Sequence, residues 1–180
     1  MKRFLAICAV MGAVLILGNA AAATPVDLSI SPASNTVGVG DTLDLELWAT
    51  SSPSGQGIKG ITATIGWDTG DLQFLGYTDE IGGLWTDFVT YPSSGQATID
   101  GAMLIGSVST DVLVYTLQFQ ALAVTDSTPV DLGSASVRDL ANVDITGTLS
   151  GAEVTITPEP STALLLAFGL AGIAAAGRRR

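Results

Sequence analysis

Acidic side chains are the most abundant groups in this sequence that could take part in catalysis or bind a metal. Its 180 residues include 17 Asp and Glu against 7 Lys and Arg, no histidine and a single cysteine. Without histidine, Ser-His-Asp and Cys-His catalytic arrangements and histidine-ligated metal centres are excluded. Glycoside hydrolysis by two carboxylates that flank the scissile bond is not excluded, although the sequence does not single out a pair. We therefore expect a protein that is not an enzyme, with a carboxylate-dependent glycan hydrolase as the alternative.

Carboxylates near predicted strand ends offer the hard oxygen ligands that Ca²⁺ prefers. No stretch has the Asp-x-Asp-x-Asp-Gly spacing of a calcium loop, which would make the prediction strong. A structural calcium ion is therefore left open, and no other cofactor is predicted. The candidate ligands are Asp41, Asp44, Asp68 and Asp71, with Glu46, Asp79 and Glu80 as further carboxylates of the same kind.

Aromatic side chains form a second group of candidate contacts. Trp48 is predicted on an outward strand face beside Asp44 and Glu46, and Trp85, Phe88 and Tyr91 crowd a glycine-flanked segment. Exposed aromatic rings beside carboxylates can stack on sugar rings or anchor a protein partner. The alternative is that they plug the second sheet or the ends of a sandwich. Under the first hypothesis the ligand contacts are Trp48, Trp85 and Tyr91.

The elements that must position these side chains are short alternating strands. Leucines and polar residues alternate in TLDLELWAT, and the same period recurs in GITATIGW and VLVYTLQFQALA. Turn-forming segments rich in Gly, Pro, Ser, Asp and Asn separate these runs. With no amphipathic helical period before Pro158, the pattern predicts an all-β sandwich or jelly roll. The predicted core positions are Leu43, Leu45, Leu47, Ile61, Ala63, Ile65, Trp67, Leu113, Tyr115, Leu117, Phe119 and Ala121.

Residues 1–23 have the three parts of a signal peptide. Lys2 and Arg3 are positive, residues 4–17 are apolar, and Ala20–Ala23 are small. We expect signal peptidase to cleave after Ala22 or Ala23, so that the protein is exported; a retained anchor is the alternative. The only cysteine lies inside this segment, so the domain predicted over residues 24–157 has no disulfide.

The charge of residues 24–157 excludes two classes of partner. Their only basic residues are Lys59 and Arg138, whereas every acidic residue of the chain except Glu159 lies among them. Binding to phosphate requires clustered Lys or Arg that release counterions. We therefore expect no nucleic-acid partner and no attraction to anionic lipid.

The C-terminal segment has three parts, each with a physical task. Pro158-Glu159-Pro160 cannot continue a helix or complete a sheet ladder, so it should form an exposed strip. Residues 163–177 are apolar and as a helix would span roughly 22 Å against a hydrocarbon core of about 30 Å. Arg178-Arg179-Arg180 should stop translocation and stay cytoplasmic. The order predicts a short transmembrane helix that holds the proline strip on the outer side of the membrane.

This three-part tail closely resembles a PEP-CTERM sorting signal over residues 158–180. The resemblance implies processing by an exosortase, an integral-membrane enzyme of Gram-negative bacteria that make extracellular polysaccharide. Cleavage beside the proline strip would leave no permanent anchor, which accounts for the short helix. An ordinary tail anchor is the alternative, but it leaves the Pro-Glu-Pro triplet unexplained.

Residues Gly40–Thr78 resemble the first half of a cohesin domain, and Leu113–Ala123 resembles the later strand that closes that half. The resemblance implies a jelly-roll sandwich of about nine strands and, in cellulosomal relatives, a sheet face that binds a calcium-loaded dockerin. Where cohesins commonly have Tyr-Asp-Pro at a turn, this chain has Trp67-Asp68-Thr69-Gly70. We expect Asp68 to cap that turn and Gly70 to supply a positive φ.

Together these features predict a non-catalytic exported protein of the cell surface or extracellular matrix. Its cohesin-like module would bind polysaccharide or another exported protein. The alternatives are a purely structural component of the biofilm matrix and the glycan hydrolase.

Overall fold

A computed structural model describes residues 23–53, 55, 57–91, 93–159, 164–170 and 173. The predicted signal peptide up to residue 22, Pro160 of the proline strip and Arg178–Arg180 lie outside the described residues. Residues 164–170 and 173 are helical. Among the described residues, no helix has the length and apolar character needed to cross a membrane.

The described chain is built from β-strands that the alternating pattern predicted. Nine strands have six residues or more and four have five or fewer, which fits the expected sandwich of about nine strands. The strands are β1 Val26–Ser31, β2 Ser34–Gly38, β3 Thr42–Ser51, β4 Gly57–Ile58, β5 Gly60–Trp67, β6 Leu72–Asp79, β7 Trp85–Thr90, β8 Gln96–Met103, β9 Val108–Ser109, β10 Val112–Ala121, β11 Thr125–Arg138, β12 Thr146–Ser150 and β13 Ala152–Thr157.

Two sheets pack face to face in the sandwich. One has five strands in the order β12-β1-β3-β10-β6, and the other has six in the order β2-β13-β11-β5-β8-β7. The short strands β4 and β9 pair separately. Strand β1 pairs parallel with β12 and β13 pairs parallel with β2, whereas the remaining pairs are antiparallel.

The core lies between the sheets and confirms the alternating prediction at ten of the twelve positions, while Trp67 packs against it partly buried and Leu113 lies outside it. Leu45, Leu47 and Ile65 are fully buried, as the period of two requires. Leu113 departs from the pattern because β10 contains one extra residue opposite β3. Leu113 faces Trp48 and Tyr115 faces Leu47, so the intervening Val114 shifts the phase and turns Leu113 outward.

A polar and aromatic clasp joins the two sheets at one edge. Trp85 of β7 donates its indole hydrogen to the Tyr115 hydroxyl of β10 at 3.1 Å. A Cβ at Gly101 of β8 would overlap both side chains, so only glycine fits beneath them. The Tyr77 ring packs edge-on to Tyr115 at 5.4 Å. Burial raises the pKa of both tyrosines, and a hydrogen bond to the Asp87 carboxylate raises that of Tyr77 further.

Strand β12 is joined to β1 through a carboxylate. The register shifts between Val26 and Leu28, and the Asp27 Oδ1 between them accepts the Thr148 amide hydrogen at 2.6 Å. That hydrogen bond lowers the pKa of Asp27 below its usual range. A Cβ at Gly147 would overlap the same carboxylate, so this junction also requires glycine. The Asp27 charge therefore supports the pairing of β1 with β12.

Replacing Gly101 with alanine should destabilise the sandwich, because the new methyl group displaces the Trp85–Tyr115 clasp. We expect the free energy of unfolding to fall by about 1 to 3 kcal/mol, measured by urea unfolding of a fragment spanning residues 23–157. Gly66→Ala is the matched control, since the nearest atom to a Cβ there lies 3.9 Å away. Equal stability of the two variants would contradict the clasp.

Replacing Asp27 with asparagine should weaken the β1–β12 junction. At pH 7 we expect a loss of about 1 kcal/mol, at the low end for charged hydrogen bonds because solvent reaches the group. The folded-state pKa is depressed, so the difference from wild type is present above about pH 4 and vanishes as the pH falls through that folded-state pKa.

Urea midpoints between pH 7 and pH 3 measure this difference, and Asp126→Asn on β11 is the exposed control. A gap between Asp27→Asn and wild type that stays constant down to pH 3 would show that the charge is not what stabilises the junction.

Candidate functional site

The turn after β5 is built around Asp68. Its carboxylate accepts the Gly70 amide hydrogen at 2.7 Å, and its carbonyl accepts that of Leu72 at 2.9 Å. The capping role predicted for Asp68 is confirmed. The prediction for Gly70 is wrong, because its φ is not positive. Space favours glycine there instead, since a Cβ would lie 3.1 Å from Asp68 Oδ1.

Of the four predicted calcium ligands, only Asp68 and Asp71 share a turn. Asp44 lies on the outer face of β3, where its Oδ1 accepts a hydrogen bond from Gln118 at 3.1 Å. Asp41 precedes β3, and Asp68 and Asp71 lie between β5 and β6. Over the described ranges, no group of three or more Asp, Glu, His and Cys side chains could hold a metal ion. The fold therefore does not unite these carboxylates in one site.

The two predicted tryptophan contacts differ in exposure. Trp48 is half-buried on the outer face of the five-stranded sheet and donates its indole hydrogen to Glu46 Oε2 at 2.8 Å. Trp85 is only 6% exposed and belongs to the clasp. Trp85 therefore fits the alternative interpretation, in which the aromatic side chains fill the sandwich, and its ring cannot contact a ligand at the surface.

Tyr91, the third predicted contact, lies at the surface end of an aromatic cluster. Its side chain is 61% exposed, and its ring centroid lies 6.4 Å from that of Phe74. Phe74 in turn lies 5.3 Å from Trp67 and 5.2 Å from the buried Phe119. The cluster thus connects an exposed tyrosine of the six-stranded sheet's edge with the core.

A groove opens beside Tyr91, between β6 and the turn that joins β7 to β8. We call it the aromatic groove; its volume is about 600 Å³. The Ser93 hydroxyl donates to Gln96 Oε1 at 2.8 Å at its rim. No acidic or basic residue is among the described residues that line it. The lining residues are Trp67, Thr69, Leu72, Gln73, Phe74, Tyr91, Ser93, Ser94, Gly95, Gln96 and Leu122.

The outer face of β7, β8, β5 and β11 carries mainly threonine and serine side chains, and we call it the hydroxyl face. Thr62 donates to the Asp100 carboxylate, and the hydroxyls of Thr64 and Thr98 lie 2.9 Å apart. Two central rows of side chains run across these four strands in the order β7, β8, β5, β11. The first row is Phe88, Asp100, Thr62 and Ser136, and the second is Thr90, Thr98, Thr64 and Ser134. Apart from Phe88, the side chains of these two rows are short, so the rest of the face is flat.

Apolar side chains border this face where β7 begins and β8 ends. Leu84, Leu104 and Ile105 are 49%, 68% and 74% exposed, and the Leu104 amide donates to the Leu84 carbonyl at 3.1 Å. Phe88, at 59% exposed, lies on the face itself. Exposed apolar groups grouped beside a flat polar surface are typical of an interaction surface.

The opposite outer face, on the five-stranded sheet, is acidic. Asp44 and Glu46 lie on β3, and Glu80 follows β6 and accepts the Thr116 hydroxyl hydrogen at 2.7 Å. The two faces of the sandwich therefore present different chemistry.

The tail leaves the sandwich without a linker. The Thr157 carbonyl, at the end of β13, accepts the Val39 amide hydrogen at 3.0 Å. Pro158 and Glu159 follow directly and, with Val39 and Val124, line a small cavity of about 170 Å³. The strip therefore begins against the folded domain.

Residues 157–180 match the PEP-CTERM protein-sorting motif. The chain carries a PEP-CTERM sorting signal. This signal marks an exported, surface-sorted protein, and the motif begins at the last residue of β13. No curated protein matches the chain significantly.

Solved cohesin modules have the same fold as residues N-terminal to the PEP-CTERM signal. A cohesin module from a Clostridium perfringens family 33 glycoside hydrolase is 14% identical, with a TM-score of 0.65 over 76% of this chain and 98% of its own. A non-cellulosomal cohesin from Archaeoglobus fulgidus is 12% identical, with a TM-score of 0.60 over 79% and 96%.

A third structure, a type I cohesin–dockerin complex from Clostridium thermocellum, is 14% identical, with a TM-score of 0.62 over 75% of this chain and 95% of that one. The predicted cohesin-like fold is confirmed. The match covers 95–98% of each of these solved chains, so their shared fold is the sandwich and does not include the PEP-CTERM tail.

Sequence reasoning named Tyr91 but missed the rest of the aromatic groove. Trp67 was predicted only as a core residue, and Phe74, Gln73 and Gln96 were not singled out. The turn-forming segment YPSSGQ gave the one available signal, since it places Tyr91 and Gln96 at the two ends of a single turn.

Proposed function

We propose that this chain is a non-catalytic exported protein that an exosortase sorts to the cell surface or extracellular matrix. Its cohesin-like module binds another exported protein or a polysaccharide there. The observation that carries the proposal is the direct joining of a PEP-CTERM signal to a cohesin-like sandwich whose hydroxyl face is not covered by any of the described residues.

An exported protein is the partner that the hydroxyl face fits best. The Clostridium thermocellum complex shows a cohesin that holds a dockerin, so this fold can serve as a protein receptor. In the present chain the hydroxyl face is flat, and Phe88, Leu104 and Ile105 supply exposed apolar anchors at and beyond its edge. Anchors beside a hydrogen-bonding surface are what a specific protein interface requires.

Processing of the tail fits the position of the proline strip. Pro158 and Glu159 are exposed and follow the last strand directly, so the strip lies between the domain and the apolar helix. An exosortase that cuts there would release the sandwich from a transient inner-membrane anchor, with Arg178–Arg180 held on the cytoplasmic side. Signal peptidase would act earlier, at the other end of the chain.

The two alternatives are weaker on specific grounds. A glycan hydrolase needs two carboxylates flanking its substrate, and no described residue that lines the aromatic groove is acidic. A purely structural matrix component does not need a flat face bordered by exposed apolar side chains. The binding role accounts for both features.

Replacing Pro158-Glu159-Pro160 with three alanines should prevent tail removal in the native host. We expect intact-mass analysis to show wild-type protein without Arg178–Arg180 and the triple variant with them. The control is Ser161→Ala with Thr162→Ala, which leaves the triplet unchanged and should be processed normally. Wild-type protein that retains Arg180 would contradict exosortase sorting.

A photo-crosslinking amino acid placed on the hydroxyl face should capture the protein partner on native cells. Thr98 and Thr116 are matched sites, since both are half-buried threonines on outward strand faces of opposite sheets. We expect one discrete exported protein to be crosslinked from position 98 and not from position 116. No adduct at position 98, or the same adduct from both positions, would overturn the assignment of this face.

A further inference from the structure

We propose that the aromatic groove binds a neutral pyranose ring of an extracellular polysaccharide. The inference concerns the polysaccharide part of the proposed function and rests on it, but it uses a surface separate from the hydroxyl face. No residue of the two central rows of the hydroxyl face lines the groove.

The aromatic rings supply a rigid platform. Tyr91 is 61% exposed, and the ring behind it, Phe74, packs on both Trp67 and the buried Phe119. Phe74 is held between these rings and has little freedom left to lose when a ligand binds, whereas Tyr91 contacts it from the surface side. Flat aromatic faces of this kind bury the apolar side of a sugar ring while its hydroxyls stay at the rim.

Uncharged polar groups surround that platform. Gln73 and Gln96 present carboxamides, each of which can donate and accept hydrogen bonds, and Ser93 and Ser94 present hydroxyls. A sugar hydroxyl also donates and accepts, so these groups match it on both counts. The Ser93 hydrogen bond to Gln96 Oε1 holds one carboxamide in place before a ligand arrives.

Size and charge restrict the ligand further. A volume of about 600 Å³ falls within the range of roughly 300 to 1,000 Å³ that is usual for small-ligand sites. The groove is open to solvent, so a ring can enter while its chain continues on either side. Because the lining is uncharged and residues 24–157 are strongly acidic, a neutral polysaccharide fits and a polyanionic one is repelled.

The test is a nuclear magnetic resonance titration of the folded fragment 23–157. The probes are cellohexaose and mannohexaose as neutral chains and hexagalacturonate as an anionic chain. We expect at least one neutral chain to cause saturable amide shifts at Gly95, Gln96 and Leu122, and hexagalacturonate to cause none. The proposal would be overturned if neither neutral chain shifted these three amides at a concentration on the order of 10 mM. Equal binding of hexagalacturonate would overturn it as well.

Tyr91→Ala and Phe88→Ala form the matched pair for this test, because the two rings are 61% and 59% exposed and only Tyr91 lines the groove. We expect Tyr91→Ala to weaken sugar binding about tenfold and Phe88→Ala to leave it unchanged. Gln73→Ala should weaken it as well. Equal losses from the two aromatic substitutions would show that the sugar does not sit in the groove.

The outcome separates this proposal from the proposed function. If the groove binds no sugar while the crosslink at position 98 appears, the protein-binding module stands and the groove assignment fails. If sugar binds and position 98 gives no adduct, the module is a polysaccharide binder and the hydroxyl-face assignment fails.

Discussion

The hydrogen bond between Trp85 and Tyr115, whose side chains lie over Gly101, governs how the two sheets pack. Each side chain comes from a different sheet, and their hydrogen bond is buried. Sliding one sheet past the other would leave both polar groups unpaired at a cost of about 1 to 3 kcal/mol each. Residues 24–157 contain no cysteine, so no disulfide shares this task. The same strand that begins at Trp85 leads to Tyr91, and the clasp therefore also positions the wall of the aromatic groove.

Acidic residues in the described turns accept hydrogen bonds from the backbone. Asp79 accepts the amide hydrogens of Ile81 and Gly82, and Asp139 accepts that of Val143. Asp144 accepts both the hydroxyl and the amide hydrogens of Thr146, which lowers the pKa of its carboxyl group. Carboxylates used this way stabilise turns one at a time and do not gather around a metal. Their summed charge still decides which polymers can approach the surface.

The sequence predicts the strands well and the contacts between strands poorly, for a physical reason. A period of two is a local property, so the inward positions of β3 and β5 follow from their own residues. The bulge at Val114 depends on hydrogen bonding with β3, and the burial of Trp85 depends on a missing side chain at Gly101 in the neighbouring strand. The aromatic groove likewise joins Trp67, Phe74 and Tyr91 from three elements, and no short sequence window contains them.

The aromatic groove and the start of the PEP-CTERM segment lie at the same end of the sandwich. The turn between β10 and β11 contributes Leu122 to the groove and, two residues later, Val124 to the cavity against Pro158 and Glu159. Because β13 ends there, the PEP-CTERM segment starts close to the groove. A polysaccharide held in the groove, as we propose, and long enough to extend past Leu122 would therefore come close to Pro158 and Glu159. The tail removal that we propose would then give such a polymer more room at this end of the sandwich.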